Sequence, residues 1–402
     1  MIYSKQKKIR KIAVFTGNRA EYGLQLPILH AIRNHPKLKL FLLVSGAHLE
    51  KNFGNTLKEI KNDGFHKLRE IKIEMTHDTL FSTAQAIGSG VLAISKHLAS
   101  LKPDILLVYA DRFEGFAAVI AGSQMGIPTA HVEGGDLTQG GALDDTVRHA
   151  MTKLSHLHFT TNSEAAARIR AMGEEKWRIY NVGFPAIDLI KKNNFASKED
   201  LKKQYQLDFS KPIILFTQHS VTTEYRDVLR QLKPSLQALE KLAKTGCQVV
   251  VTYPNNDAGG RTIINYYKKW KQIVPPNIKF IKSLGRFNYH GILYQCGFGG
   301  GCGVCVGNSS SGIKETPALG CPAVNIGTRQ LGRLRGTNVV DAKYNEKSIT
   351  YAIKKCLFNN EFRKKCKKCK NPYGKGYASK KIANILAKIK INQKLIRKMT
   401  TI

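Results

Sequence analysis

The 402-residue chain has no apolar run long enough to cross a membrane, although 42% of its residues are hydrophobic. A membrane-spanning helix needs about 20 predominantly apolar residues in succession. The basic N-terminal segment leads directly into a strand-like stretch and lacks a small-residue cleavage site, which favours a first strand over a signal peptide. We therefore expect a cytoplasmic protein that has no membrane partner.

Acidic residues are scarce, with 29 Asp and Glu against 64 Lys and Arg, and the formal net charge is +35. The last 42 residues hold 14 basic residues and one acidic residue, so 13 of these charges lie there. The remainder are spread thinly, mostly as lysines on predicted helix faces. No nucleic-acid-binding module and no interleaving of basic with aromatic residues accompanies them. The charge is therefore typical of a solvated lysine-rich surface, and we expect no nucleic-acid partner.

The eight cysteines do not form the framework of a secreted disulfide-rich protein. Cys302 and Cys305 form one C-x-x-C pair, and Cys366 and Cys369 form another. The gap between the pairs is far longer than in a zinc ribbon. We expect reduced thiols and no metal.

Strand-like and helix-like runs alternate along the whole chain, which indicates mostly parallel sheets covered by helices on both faces. A first series ends near residue 182, and a polar stretch at 184–194 reads as a linker. The second series has strands at 213–217, 248–253, 278–282, 303–306 and 323–326. The predicted fold class is α/β, with two Rossmann-like doubly wound domains and an active site in the cleft between them. The predicted domains are 1–190 and 191–378, followed by a basic helix at 379–402 that could cross back to the first domain.

Residues 105–150 contain three acidic sites that could surround one cleft. Asp111 and Glu133 each end an apolar strand-like run, and ligands of α/β sheets bind beyond the carboxyl ends of strands. Burial could raise the pKa of these carboxyls toward neutrality, which suits proton transfer. Asp144 and Asp145 follow a glycine-rich link and could instead favour the start of the next helix. Arg148 could neutralise the acids or touch a ligand.

Two turns could bind anions. Arg19 lies in the Gly17-Asn18-Arg19 turn before the first helix, although the turn is not G-x-G-x-x-G, and no Walker A sequence occurs in the chain. In the second half, residues 307–312 follow a strand and open a helix expected to end at Gly320. Their backbone N–H groups and hydroxyls fit one or two phosphates, while an ordinary serine N-cap is the alternative. The candidate ligands of this second turn are Asn308, Ser309, Ser310, Ser311 and Gly312.

Three further segments offer polar groups. His219 ends the first strand of the second half and could donate to a phosphate or act as an acid. Glu315, one turn beyond the serines, could accept hydrogen bonds from a ribose or interact with the helix dipole. Asn255 and Arg261 lie in a polar loop suited to a sugar or phosphate.

Six motifs together resemble the UDP-N-acetylglucosamine 2-epimerases, and most closely the hydrolysing branch used in sialic-acid-type biosynthesis. They span both halves in order, from residue 11 to residue 341. The motifs are TGNRAEYG (16–23), ADRFE (110–114), HVEGGDLTQGGALDDTVRHAMTKLSHLHF (131–159), NVGFPAID (181–188), TYPNNDAGGR (252–261) and GNSSSGIKETPALGCPAVNIG (307–327).

The resemblance implies a GT-B architecture and elimination of UDP across C1–C2 of the sugar, giving a 2-acetamidoglucal that water then converts to the inverted free sugar. It implies that Asp111, Glu133 and Asp144 are the acid/base carboxylates. It further implies that Arg19 and His219 contact the diphosphate, and that Ser310, Ser311 and Glu315 bind the nucleotide. No cofactor is required.

Leu24 stands where the non-hydrolysing branch has a lysine, which favours the hydrolysing branch. The glycine-rich stretch at 295–305 is longer than usual for the family and is expected to be an inserted flexible loop. The resemblance implies UDP-N-acetylglucosamine as substrate, N-acetylmannosamine and UDP as products, and a homodimer or homotetramer. The alternatives are a UDP- or GDP-linked N,N'-diacetylbacillosamine substrate (legionaminic acid pathway), a GT-B glycosyltransferase and a non-catalytic nucleotide-sugar binder.

Overall fold

The computed structural model describes residues 9–49, 56–73, 80–137, 142–254 and 259–401. For Arg19, Ala20, Leu80, Ala142, Leu143, Asp144 and Thr222 it describes the backbone alone. The chain divides into two compact units. Unit 1 comprises Met1–Asp136, Leu143–Asp188 and Gly376–Ile402, and unit 2 comprises Leu137–Ala142 and Leu189–Lys375. The main boundary falls inside the polar stretch interpreted above as a linker.

Each unit contains one parallel sheet with the strand order of a dinucleotide-binding fold. Unit 1 has the order β3-β2-β1-β4-β5-β6-β7, and unit 2 has the order β10-β9-β8-β11-β12-β13. In both, the order reverses between the first and fourth strands of the unit, and that is where such sheets bind ligands. The strands are β1 Arg10–Thr16, β2 Leu38–Ser45, β3 Leu68–Ile71, β4 Ile105–Tyr109, β5 Thr129–Val132, β6 Leu157–Thr160, β7 Ile179–Asn181, β8 Ile213–Thr217, β9 Gln248–Thr252, β10 Ile278–Ile281, β11 Gly303–Gly307, β12 Ala323–Ile326 and β13 Val339–Ala342.

Helices connect the strands and cover both faces of each sheet. Side chains alternate along the strands, so Val14 and Leu107 face one core of unit 1 while Ala13 and Leu106 face the other. The helices are α1 Arg19–Arg33, α2 Thr56–Asn62, α3 Leu80–Leu101, α4 Phe113–Gln124, α5 Ala142–Leu154, α6 Ser163–Ala171, α7 Ile187–Lys191, α8 Lys198–Tyr205, α9 Val228–Lys244, α10 Gly260–Trp270, α11 Gly285–Cys296, α12 Ser311–Lys314, α13 Glu346–Phe358, α14 Asn360–Lys367, α15 Ala378–Lys388 and α16 Gln393–Ile396. None of the helices that the structure describes is long and apolar enough to span a bilayer.

The predicted α/β fold is confirmed, and β8 to β12 lie where the sequence predicted the strands of the second series. The prediction missed β13, a four-residue edge strand whose burial is only partial, so that it lacks a continuous apolar run.

The basic tail is not the single helix that the sequence predicted. It forms α15 and the short α16, because Ile389 takes an extended conformation and Asn392 starts a new helix by accepting a hydrogen bond from the N–H of Leu395 at 3.2 Å. The tail belongs to unit 1, where the carboxylate of Asp188 accepts hydrogen bonds from the N–H groups at the start of α15, Ala378 (3.0 Å) and Ser379 (2.8 Å).

Of the glycine-rich stretch at 295–305, only residues 297–302 form a turn, which joins α11 to β11, and the expected flexible insertion stays a prediction. A Cβ on Gly297 would lie 2.1 Å from the carbonyl oxygen of Leu319, and one on Gly303 would lie 2.3 Å from the sulfur of Cys296. The guanidinium of Arg363 donates to the carbonyl of Gly301 at 2.6 Å. Close packing of neighbouring atoms therefore leaves no room for a side chain at Gly297 and Gly303.

Candidate active site

Asp111 and Glu133 lie at the carboxyl ends of two neighbouring strands, β4 and β5. Tyr109 pairs with Val132, and the N–H of Ala110 donates to the carbonyl of Val132 at 2.9 Å. Asp111 follows at once, and Glu133 directly follows β5. The strand pairing thus brings two of the predicted carboxylates to one edge of the unit 1 sheet, as the sequence implied.

The backbone is strained at this edge. Ala110 has φ +56° and Glu133 has φ +68°, both in the left-handed region that residues other than glycine adopt at a cost. Such conformations cluster at functional sites, because they persist only where the surroundings enforce them. Here the ring nitrogen Nε2 of His131 donates to the carbonyl of Ala110 at 2.7 Å, and Nδ1 lies 3.1 Å from the hydroxyl of Thr152. Full burial lowers the pKa of His131 to about 4, so this support is uncharged at neutral pH.

Arg148 joins the acidic residues of unit 1. This guanidinium, which projects from α5 and is 3% exposed, forms ion pairs with the carboxylates of Asp111 and Asp145. It also donates to the backbone carbonyl of Asp136 at 2.9 Å. The sequence suggested that Arg148 could neutralise the acids, and the structure shows that it pairs with two of them. The side chain of Asp144 lies outside the described residues, so its predicted catalytic role stays a prediction.

Glu133 is 7% exposed and lies beside the phenol of Tyr109. Burial, followed by the negative charge of Glu133, raises the pKa of Tyr109 well above its ordinary value. The phenol is therefore protonated and can donate to the Glu133 carboxylate. Tyr109 was not among the residues predicted from the sequence, although its place as the last residue of β4, two before Asp111, was a usable signal.

The turn after β1 is described except for the side chain of Arg19. Asn18 caps α1, because its side-chain oxygen accepts a hydrogen bond from the N–H of Glu21 at 3.0 Å. Burial and then the charge of Glu114 raise the pKa of Glu21 to about 8. A neutral buried acid thus lies beneath this turn, which the sequence did not reveal. The predicted anion contact of Arg19 stays a prediction.

His219 follows β8 at the reversal point of the unit 2 sheet, and the turn after β11 lies beside it. The Oδ1 of Asn308 accepts from the N–H of His219 at 2.7 Å, and its Nδ2 donates to the carbonyl of His219 at 2.8 Å. Burial, then the charge of Arg329, lowers the pKa of His219 to about 3. The imidazole is therefore neutral near pH 7 and can donate one N–H to an anion. Asn308, proposed from the sequence as a ligand, uses its amide to hold His219.

Residues 307–312, the serine turn, are followed by a much shorter helix than the sequence predicted. Gly307 has φ +134°, and a Cβ there would lie 1.8 Å from the carbonyl oxygen of Thr217. Only Ser311–Lys314 is α-helical, and a 3₁₀ turn at Thr316–Leu319 follows. Pro317 explains the break, since it cannot donate the hydrogen bond that an α-helix needs at this place. The predicted helix running to Gly320 is therefore wrong.

The hydroxyls of the turn differ in their partners. Ser309 and Ser310 are partly exposed, whereas Ser311 is buried, with its oxygen 2.6 Å from the hydroxyl of Tyr289. The carboxylate of Glu315 accepts a hydrogen bond from Nε2 of His290 at 2.5 Å. Both partners lie on α11, outside every motif singled out in the sequence.

The remaining candidates are less well placed. Arg261 is exposed near the start of α10, and Asn255 lies outside the described residues. Arg329 was not among the predicted site residues, although it directly follows Gly327-Thr328 beyond β12. It donates to the carbonyl of Asn308 at 3.2 Å and adds positive charge beside His219. Across the described residues, no three acidic, histidine or cysteine side chains are grouped so that they could hold a metal ion.

Comparison with known proteins gives one family. A sequence profile described as UDP-N-acetylglucosamine 2-epimerase matches residues 30–387. The chain is 34% identical over 337 residues to the GDP/UDP-N,N'-diacetylbacillosamine 2-epimerase (hydrolyzing) of Campylobacter jejuni, covering 84% of this chain and 85% of that protein. It is 33% identical over 390 residues to the UDP-N,N'-diacetylbacillosamine 2-epimerase (hydrolyzing) of Legionella pneumophila, with coverage of 97% and 99%. It is 32% identical over 365 residues to the UDP-N-acetylglucosamine 2-epimerase of Neisseria meningitidis, with coverage of 88% and 89%.

Solved structures show the same fold. The crystal structure of UDP-GlcNAc 2-epimerase from Neisseria meningitidis bound to UDP-GlcNAc matches with a TM-score of 0.80 and 18% identity, covering 94% of this chain and 100% of that one. The complex of the Methanocaldococcus jannaschii enzyme with UDP-GlcNAc and UDP matches with a TM-score of 0.74 and 17% identity, covering 94% and 99%. The two α/β units thus have the GT-B-like fold of these proteins.

Proposed function

Since the chain belongs to the UDP-N-acetylglucosamine 2-epimerase family, we propose that it is a hydrolysing 2-epimerase of a UDP-linked 2-acetamido sugar. The first-choice substrate is UDP-N-acetylglucosamine, with N-acetylmannosamine and UDP as products. The observation that carries the proposal is the arrangement of Asp111 and Glu133 at the ends of β4 and β5, where the backbone is strained at Ala110 and Glu133.

The reaction begins with loss of the C2 proton. That proton is barely acidic, so its removal has to accompany departure of the stabilised diphosphate. A carboxylate at the end of β4 or β5 takes the proton, and the C1–O bond to UDP breaks, which leaves a 2-acetamidoglucal. Water, activated by a second carboxylate, then adds across the double bond: its hydroxyl bonds to C1, and a proton bonds to C2 on the face opposite to the one that lost its proton. An ion pair with a buried guanidinium, such as that between Asp111 and Arg148, favours the ionised form of a carboxylate.

The groups proposed to hold UDP come from unit 2. The neutral imidazole of His219 donates to the diphosphate, and the hydroxyls of Ser309 and Ser310 remain partly exposed for it. Glu315 accepts from the ribose. Fixed donors of this kind stabilise the charge that develops on the leaving diphosphate, which lowers the barrier to elimination.

A second substrate is favoured by specific relatives. The relative with 34% identity is named for N,N'-diacetylbacillosamine linked to GDP or UDP. The relative with 33% identity is named for the same sugar linked to UDP. That sugar undergoes the same reaction at C1 and C2 and differs at C4 and C6. Its nucleotide derivative is therefore the alternative substrate, in sialic-acid-type sugar biosynthesis of the legionaminic kind.

One assay tests the proposal. The protein is incubated with UDP-N-acetylglucosamine in deuterated water and followed by proton NMR, with the UDP-linked diacetamido sugar in a parallel tube. Free N-acetylmannosamine carrying deuterium at C2, with release of UDP, is the expected result. UDP-N-acetylmannosamine would indicate a non-hydrolysing enzyme, and transfer of the sugar to an added acceptor would indicate a glycosyltransferase. Binding without turnover of either substrate would reduce the protein to a nucleotide-sugar binder.

We further propose that the enzyme works in the cytoplasm as a homodimer or homotetramer. All eight cysteines are free, which fits a reducing compartment. Light scattering on a gel-filtration column measures the assembly, and a monomeric mass at micromolar concentration would contradict it. Cell fractionation measures the location.

A further inference from the structure

Helix α11 places two neighbouring side chains against the turn proposed to bind the nucleotide. The hydroxyl of Tyr289 lies 2.6 Å from the hydroxyl of Ser311. The Nε2 of His290 lies 2.5 Å from Oε2 of Glu315. One residue of α11 thus contacts the serine end of the turn, and the next contacts its acidic end.

The second contact is the more unusual of the two, because it lies in the interior. His290 is 1% exposed and Glu315 is 8% exposed. A carboxylate at such a place has to receive hydrogen bonds, since its charge has lost most of its water. Within the described part of the chain, His290 is the one side chain that is bonded to this carboxylate. The bond occupies Oε2 and leaves Oε1 for a ligand.

The other ring nitrogen of His290 indicates which form the imidazole takes. Nδ1 is buried and has no hydrogen-bond partner among the described residues. A proton on Nδ1 would be a buried donor without an acceptor, which is costly. The ring therefore carries its proton on Nε2 and directs it at Glu315, so that the carboxylate keeps one orientation.

We propose that His290 is a positioning residue for the nucleotide: it fixes the Glu315 carboxylate in the orientation in which Oε1 accepts from a ribose hydroxyl. The inference rests on the proposed function, which assigns Glu315 to the ribose. His290 would then determine selectivity for ribonucleotides, although it lies outside the serine turn. Tyr289 acts on Ser311, at the phosphate end, and so affects affinity without affecting this selectivity.

The experiment measures dissociation constants for UDP, 2′-deoxy-UDP and 3′-deoxy-UDP by calorimetry on the full chain. A hydrogen bond to a charged group contributes enough that the wild type should bind at least one deoxy analogue roughly tenfold more weakly than UDP. His290→Leu and Glu315→Gln should each lose most of this preference for UDP over the deoxy analogue. His290→Gln, whose amide nitrogen can take the place of Nε2, should restore much of it.

Two comparisons separate positioning from general damage. Tyr289→Phe, the matched control on the same helix, should weaken UDP and its deoxy analogues to the same degree and leave the ratio unchanged. In a Glu315→Gln background, His290→Leu should change UDP affinity less than about twofold, because the two residues act through one contact. If His290→Leu alone does not fold, the double variant and His290→Gln supply the same comparison.

Several results would overturn the inference. One is a folded His290→Leu variant that still prefers UDP over the deoxy analogue as strongly as the wild type does. Another is that the effects of the His290 and Glu315 variants on UDP affinity simply add. A third is a wild type that binds UDP and both deoxy analogues equally. A wild type that does not bind UDP would instead overturn the proposed function. The failures of the two proposals are therefore distinguishable.

Discussion

Asn308 holds the backbone of His219 from both sides, with its amide oxygen 2.7 Å from the N–H and its amide nitrogen 2.8 Å from the carbonyl oxygen. The pair links the ends of β8 and β11, whose order reversal marks the ligand-binding edge of the unit 2 sheet. Asn308 thereby sets the direction of a histidine that is proposed to contact a diphosphate.

Asn308→Ala should lower kcat/KM by roughly 10- to 100-fold, because a misplaced group loses much of its contribution to the transition state. The free energy of unfolding should also fall, by about 1–3 kcal/mol, since buried backbone groups lose their partner. Steady-state assays and urea unfolding measure the two effects.

Asn277 is a matched control, since its amide donates to the carbonyls of Ala243 (2.9 Å) and Cys247 (2.7 Å) at the other end of the strands. Asn277→Ala should cost stability alone, and an equal loss of kcat/KM in both variants would contradict the role of Asn308.

Asp111→Asn and Glu133→Gln should each abolish turnover while leaving the dissociation constant for UDP within about threefold of wild type. Removing an acid/base group costs roughly 100- to 10,000-fold in rate, and more where the group also interacts with developing charge. Deuterium incorporation at C2 in single-turnover samples shows which variant still removes the proton. Asp188→Asn, which changes a carboxylate that caps α15, serves as the control and should affect stability instead. Near-normal turnover in either of the first two variants would refute its catalytic role.

The third acid is decided by comparing Asp144→Asn with Asp145→Asn. Asp145 forms an ion pair with Arg148, which also holds Asp111. Asp145→Asn should therefore destabilise the protein and lower the rate in part, by loosening Arg148. Asp144→Asn should abolish turnover without loss of stability, as the family resemblance implies. Melting temperatures and rates for the two variants check this, and the reverse pattern would transfer the catalytic role to Asp145.

The sequence predicted most of the fold because its strands are short, continuous apolar runs that parallel sheets bury on both faces. It also placed Asp111, Glu133 and His219 correctly at strand ends, since the rule for ligand sites depends on chain order alone. The edge strand β13 lacked such a run and was missed. The helix after the serine turn is shorter than predicted because Pro317 interrupts it.

Contacts between distant residues could not be predicted in this way. Arg148 is 37 residues from Asp111 in the chain, and His290 is 25 residues from Glu315. Nothing in one sequence states which basic or aromatic side chain faces a given acid, because that depends on how helices pack on the sheet. The strained conformation of Ala110 could not be predicted either, because an alanine gives no local sign of positive φ.

The buried histidines should make the protein less stable in mild acid. The pKa of His131 is about 4 in the folded protein against 6.5 for an ordinary histidine. Below pH 6.5 the unfolded chain therefore takes up a proton that the folded protein refuses until about pH 4, and stability falls as the pH falls through this window. For His131 the full loss is on the order of 3 kcal/mol, because each pKa unit corresponds to about 1.4 kcal/mol.

Urea unfolding between pH 7 and pH 4.5 measures this slope. His131→Gln removes the titrating ring and keeps a donor for the carbonyl of Ala110, so it should flatten the slope although it costs stability at pH 7. His48 and His156, whose pKa values burial also lowers to about 4, retain part of the slope in that variant. Identical slopes for the wild type and His131→Gln would show that His131 binds its proton equally well in the folded and unfolded protein, which would contradict its lowered pKa, because only a group whose proton affinity changes on unfolding contributes to the slope.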